Sequence, residues 1–100
     1  MDLAELTEAV RKQAARNVKL GYKVKFTLDE GVIFWDGTEA APVIDNEDRA
    51  EADTVIALSA ENLEKLLAGK LDPTLAYMTG KLKVEGKMGV ALKLTSMFAD

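Results

Sequence analysis

Few residues in this chain could carry covalent or acid–base chemistry. It has no histidine and no cysteine. That removes the commonest general base, the usual triads, thiol nucleophiles, disulfides and thiolate metal sites. The serines are Ser59 and Ser96. Ser59 stands just ahead of an apolar helical run, where a cap is expected, and Ser96 falls on the polar side of the last helical segment. Neither lies in a nucleophile elbow. Gly80, Gly86 and Gly89 do not make a dinucleotide fingerprint, and Gly86-Lys87-Met88 lacks the glycine spacing and hydroxyl residue of a phosphate loop. The carboxylates of Asp45-Asn46-Glu47-Asp48-Arg49-Ala50-Glu51 lack the alternate ligands and central glycine of an EF-hand loop. No catalytic residue, metal site or cofactor is expected, so the sequence reads as a non-enzyme.

The distinctive chemistry is apolar. From Met88 to Ala99 the only charge is Lys93. This run is too apolar for an ordinary surface helix and too short for a membrane span. It needs an apolar partner, either protein or ligand.

The remaining elements follow from periodicity. Leu3, Leu6, Val10 and Ala14 recur at helical spacing. Acids come early (Asp2, Glu5, Glu8) and bases late (Arg11, Lys12, Arg16, Lys19), which predicts a helix over about 2–16. Tyr22, Val24, Phe26 and Leu28 alternate with polar residues, as in a strand with one wet face. Asp29-Glu30-Gly31 is a turn. Val32-Ile33-Phe34-Trp35 returns as a strand that is apolar on both faces, so its second face needs a cover or a ligand. Asp36-Gly37 is a second hairpin signal. Residues 40–44 form a weak strand, which Pro42 places at an edge, and 53–58 form a fourth. Ser59 starts a helix with Leu63, Leu66 and Leu67, ended by Gly69. Asp72-Pro73 starts a short helix carrying Leu75, Ala76 and Met78, ended by Gly80. Residues 81–85 alternate as a fifth strand, and 87–98 form the last helix, with Val90, Leu94, Met97 and Phe98 on one stripe. Strands gather early and helices late, which indicates an α+β fold.

One hundred residues suit one domain, 1–100. The net charge of −4 argues against nucleic acid as a partner. Residues 29–61 hold ten of the seventeen acids and one base, Arg49, and read as solvated loops. No signal-peptide h-region or membrane span is recognised, and the end is not a peroxisomal address. A soluble cytoplasmic protein is expected.

The run Gly69-Lys70-Leu71-Asp72-Pro73, through Ala76-Tyr77, to Gly80-Lys81-Leu82-Lys83-Val84-Glu85-Gly86 resembles the sterol-binding domain of the sterol carrier protein 2 family. Ala52 to Ser59 is similar to the strand and helix cap that precede this motif, and the likeness extends over nearly the whole chain. The resemblance implies a five-stranded, mainly antiparallel sheet covered on one face by helices, with an apolar tunnel between. The sequence departs from longer members in being short and in lacking the peroxisomal address, so a small standalone member of bacterial type is expected. Such a domain is expected to hold a fatty acid, acyl-CoA, sterol or similar lipid without catalysis.

Burying about fifteen methylenes gains ~12 kcal/mol gross, much of it lost to association costs. Flexible methionines suit such a lining. The candidate ligand-binding residues are Phe26, Ile33, Trp35, Met78, Met88, Leu92, Met97 and Phe98; the competing reading for each is plain core. Lys81, Lys83, Lys87 and Lys93 form a solvated face that could also meet an anionic membrane transiently or a CoA phosphate. A monomer or weak dimer is expected. The alternative function is an accessory domain with a vestigial pocket, docking onto an enzyme of lipid or quinone metabolism.

Overall fold

A computed structural model describes residues 1–16 and 20–98. Lys19, named above among the late bases, and Ala99, the end of the apolar run, lie outside the described residues. In chain order the helices are α1 (Leu3–Arg16), α2 (Ala60–Leu67), α3 (Pro73–Met78) and α4 (Met88–Met97). The strands are β1 (Lys23–Leu28), β2 (Gly31–Asp36), β3 (Val43–Asp45), β4 (Thr54–Leu58) and β5 (Leu82–Gly86).

Local chemistry accounts for the helix starts. Asp2 and Glu5 exchange backbone-to-carboxylate hydrogen bonds at the head of α1, a reciprocal capping box. Ser59 Oγ accepts from the Asn62 backbone N–H, and Asp29 Oδ1 accepts from the Ala60 N–H, so two side chains from different elements serve the first turn of α2. Asp72 accepts from the Thr74 N–H with Pro73 behind it. Lys87, at the N-cap of α4, makes no side-chain cap hydrogen bond.

The strands form one sheet in the order β3-β2-β1-β4-β5. Its neighbours run antiparallel except β1 and β4, which are parallel. The fold is thus α+β with a mixed, mostly antiparallel sheet. β3 occupies an edge, as Pro42 predicted, but it is shorter than expected and begins only after the proline.

Asp36-Gly37 is not a tight hairpin turn. Gly37 continues the β1–β2 ladder: its N–H donates to Tyr22 O, and its carbonyl accepts from the Gly21 N–H. A Cβ there would lie 2.6 Å from Leu20 Cβ. The glycine therefore allows close approach rather than reversal, and the chain reverses later, through residues 38–42.

The inner face of the sheet presents Val24, Phe26, Leu28, Ile33, Trp35, Ile44, Ile56, Leu58 and Leu82 to one contiguous core. Leu6 and Val10 of α1, Leu63 and Leu66 of α2, Ala76 of α3, and Val90, Ala91, Leu94 and Phe98 complete it. The helices thus cover one face. Arg11 ties α1 to the edge, its guanidinium donating to the Ile44 carbonyl at 2.7 Å and 3.1 Å.

Candidate functional site

Alternation along β1 and β2 sends Phe26, Ile33 and Trp35 to the inner face. β1–β2 pairing sets Phe26 opposite Ile33 and Val24 opposite Trp35. All three are essentially inaccessible, Trp35 at 2%. Phe98 closes over them from the end of α4. Its ring centroid is 6.0 Å from that of Phe26, with the planes inclined at 33°, within the range of favourable tilted aromatic pairs.

The buried polar residues among those described are Thr7, Thr54 and Thr95. Thr7 and Thr95 donate their hydroxyls back to carbonyls of their own helices, and Thr54 donates to the Lys87 carbonyl at 3.0 Å. The interior therefore carries no charge among the described residues. Among the described residues, one buried side-chain polar atom is unsatisfied: the indole N–H of Trp35 has no acceptor. Such an orphan is costly in an apolar setting.

The direction of α4 is set at its root. Gly86 has φ +88°, and a Cβ there would meet the Asp53 carbonyl oxygen at 2.4 Å. That carbonyl accepts from the Lys87 N–H, and Thr54 holds the Lys87 carbonyl. Beyond this anchor, α4 buries Val90, Ala91, Leu94 and Thr95. Met88, Leu92 and Met97 are half-buried, standing beside the closed stripe rather than within it.

The candidate residues therefore fall into three groups. Phe26, Ile33, Trp35 and Phe98 come together in the interior. Met88, Leu92 and Met97 border it on α4. Met78 stands apart on α3, 74% exposed. Leu75, carried on the same helix, is 55% exposed, and only Ala76 of α3 is buried.

The second face of β2 has its own cover. Phe34 is buried outside the main core. The Arg49 guanidinium lies 5.2 Å from its ring centroid and is held by both oxygens of Asp45 and by Glu47. The hydrogen bond from Arg49, reinforced by its charge, holds the Asp45 carboxyl below its ordinary range. Lys25 pairs with Asp48 at 2.9 Å. Part of the acidic loop is thus a clamp on the outer sheet face. Beside it opens a hollow of about 810 Å³ lined by Lys23, Phe34, Asp36, Ala40, Val43 and Arg49 among others. Sequence reading missed this hollow. The one signal was Arg49, the sole base among the acids of the middle segment.

Among the described residues no group of acids is placed to hold a metal ion, and no helix is long and apolar enough to cross a membrane.

Comparison with known proteins places this architecture. Among curated proteins, a hydroxysteroid dehydrogenase-like protein 2 from Danio rerio is 41% identical over 61 residues, 61% of this chain but 15% of that protein. The chain thus spans a small part of the curated relatives it matches. Among solved structures, a palmitated SCP2L2 from Aedes aegypti has a TM-score of 0.71 at 17% identity, covering 100% of this chain and 96% of that one. A UbiJ-SCP2 ubiquinone synthesis protein has a TM-score of 0.72 at 18% identity, covering 95% and 90%. The profile of the SCP-2 sterol transfer family matches residues 3–99, and the chain belongs to that family.

Proposed function

We propose that this chain is a non-catalytic lipid-binding module that takes a fatty acid, acyl-CoA or sterol-like lipid between the inner sheet face and α4. The observation that carries this reading is the interior itself: an aromatic, uncharged cluster closed by an uncapped apolar helix, with the orphaned Trp35 N–H inside it. Phe98 and the buried stripe of α4 occupy the space now, so a lipid enters by displacing α4 about its Gly86 root. Phe26, Ile33, Trp35 and Phe98 would line the chain, with Met88, Leu92 and Met97 adapting around it. Family membership and the palmitated structural neighbour support the same reading.

The test is native mass spectrometry of the purified protein, with fluorescence titration of Trp35. A co-purified lipid mass, and a saturable change with long-chain but not short-chain fatty acid, is expected. A lipid-free protein with flat titrations across fatty acids, acyl-CoAs and sterols would defeat the reading.

The alternative is an accessory domain that docks onto an enzyme of lipid or quinone metabolism. It is favoured by the small share of the dehydrogenase-like relatives that the chain matches and by the ubiquinone synthesis neighbour. Flat titrations together with stable capture of such an enzyme would select it.

A further inference from the structure

α3 is amphipathic the wrong way round. Ala76 faces the core, and Leu75, Tyr77 and Met78 are 55%, 42% and 74% exposed. At 100° per residue Met78 points nearly opposite Ala76, with Leu75 and Tyr77 on either side. Among the described residues these three make up most of the large exposed hydrophobics, alongside Met1 and Val43. A clustered apolar fan on a short surface helix needs a partner.

The charges around it say which. Lys70 precedes α3, and with Pro73, Thr74 and Ser96 of α4 it lines a hollow of about 440 Å³. Lys81 follows α3, its backbone N–H bonded to the Ala76 carbonyl. Lys93 lies one turn before Ser96, whose hydroxyl donates to the Lys93 carbonyl. Lys70, Lys81 and Lys93 are exposed, and none forms an ion pair among the described residues. Asp72, at the start of α3, is committed to capping the Thr74 N–H. Three exposed lysines thus stand just before α3, just after it and on the adjoining α4, Lys81 sharing a hollow with Asp29, on a protein of net charge −4 whose acids concentrate in residues 29–61.

We propose that α3 is the surface by which this protein docks on an anionic lipid membrane. Met78, Leu75 and Tyr77 enter the interfacial layer, and Lys70, Lys81 and Lys93 meet the headgroups. The proposal rests on the lipid-binding reading for its purpose, since it sets α3 and the adjoining end of α4 toward the lipid source. Its test is independent of that reading.

The test is co-sedimentation with vesicles of phosphatidylcholine alone and of phosphatidylcholine with 30 mol% phosphatidylglycerol, using the full chain. Binding to the anionic vesicles only is expected, released by raising salt to about 0.5 M. Met78→Glu should weaken it at least about tenfold, because a charge replaces a side chain entering the lipid. Val43→Glu, at another exposed apolar position, should bind as wild type. Both substitutions are on exposed side chains, and circular dichroism confirms the fold. The proposal is overturned if wild type ignores anionic vesicles, if neutral vesicles bind equally, or if Met78→Glu binds unchanged. It is also overturned if Met78→Glu instead abolishes a concentration-dependent dimer, seen by ultracentrifugation, while vesicle binding is absent. Titrating Met78→Glu with soluble fatty acid through Trp35 separates the two readings: a normal curve with lost vesicle binding localises the defect to docking.

Discussion

Phe98 rests its ring against Phe26 at 6.0 Å between centroids, joining the last turn of the chain to the central strand β1. This contact shuts α4 over the inner face, so removing it should loosen the helix specifically. Phe98→Ala should cost about 3 kcal/mol by urea denaturation. A cost below about 1 kcal/mol would mean that α4 is held elsewhere.

If α4 moves to admit lipid, its amides from Met88 to Phe98 should exchange faster than those of Leu82 to Glu85 in β5, and should become protected when palmitate is added. Rates equal to those of the sheet, with or without lipid, would show that α4 is a fixed part of the core.

The root of α4 should tolerate no side chain. Gly86→Ala imposes a Cβ at 2.4 Å from the Asp53 carbonyl oxygen at a positive φ, so stability should fall by about 2 kcal/mol or more. A thermal scan showing wild-type stability would place the constraint elsewhere.

Asp72 should matter for stability and not for binding. Its carboxylate caps α3 through the Thr74 N–H at 3.0 Å, so Asp72→Ala should lose about 1 kcal/mol while the Trp35 titration is unchanged. Unchanged stability with lost binding would assign Asp72 a ligand role.

The outer clamp should be sensitive to acid. The Asp45 carboxyl lies below its ordinary value of 3.8, chiefly through its hydrogen bond from Arg49, and Asp36 is lowered chiefly by its hydrogen bonds from Thr38. A folded-state value below the unfolded one means the stabilisation is present above about pH 4 and lost as pH falls through the lowered values. Asp45→Asn should therefore lower Tm at pH 7, by less than about 5 °C for so exposed a pair. Near pH 2 the variant and wild type should converge. A difference that persists there would rule out the ionised carboxylate as its source.

Much of this molecule is written locally. Asp72-Pro73, Ser59 and the period-two run through Phe26 are short-range signals, and each yields the element its chemistry requires. The motif from Gly69 to Gly86 led to the family because its turns and caps are spaced along the chain itself.

Three matters depended on tertiary contact. Asp36-Gly37 looks like a turn in isolation, but Gly37 is needed because Leu20 and Tyr22 close on it across the sheet. Phe34 needed a cover whose identity, Arg49 braced by Asp45 and Glu47, comes from a segment beyond β3. Leu75 and Met78 carry the same hydrophobicity as core residues, and only the docking of α3 through Ala76 turns them outward. Sequence determines which side chains share a helix face or strand face, because periodicity is local. Which face is buried is decided by the neighbours that the fold brings to it.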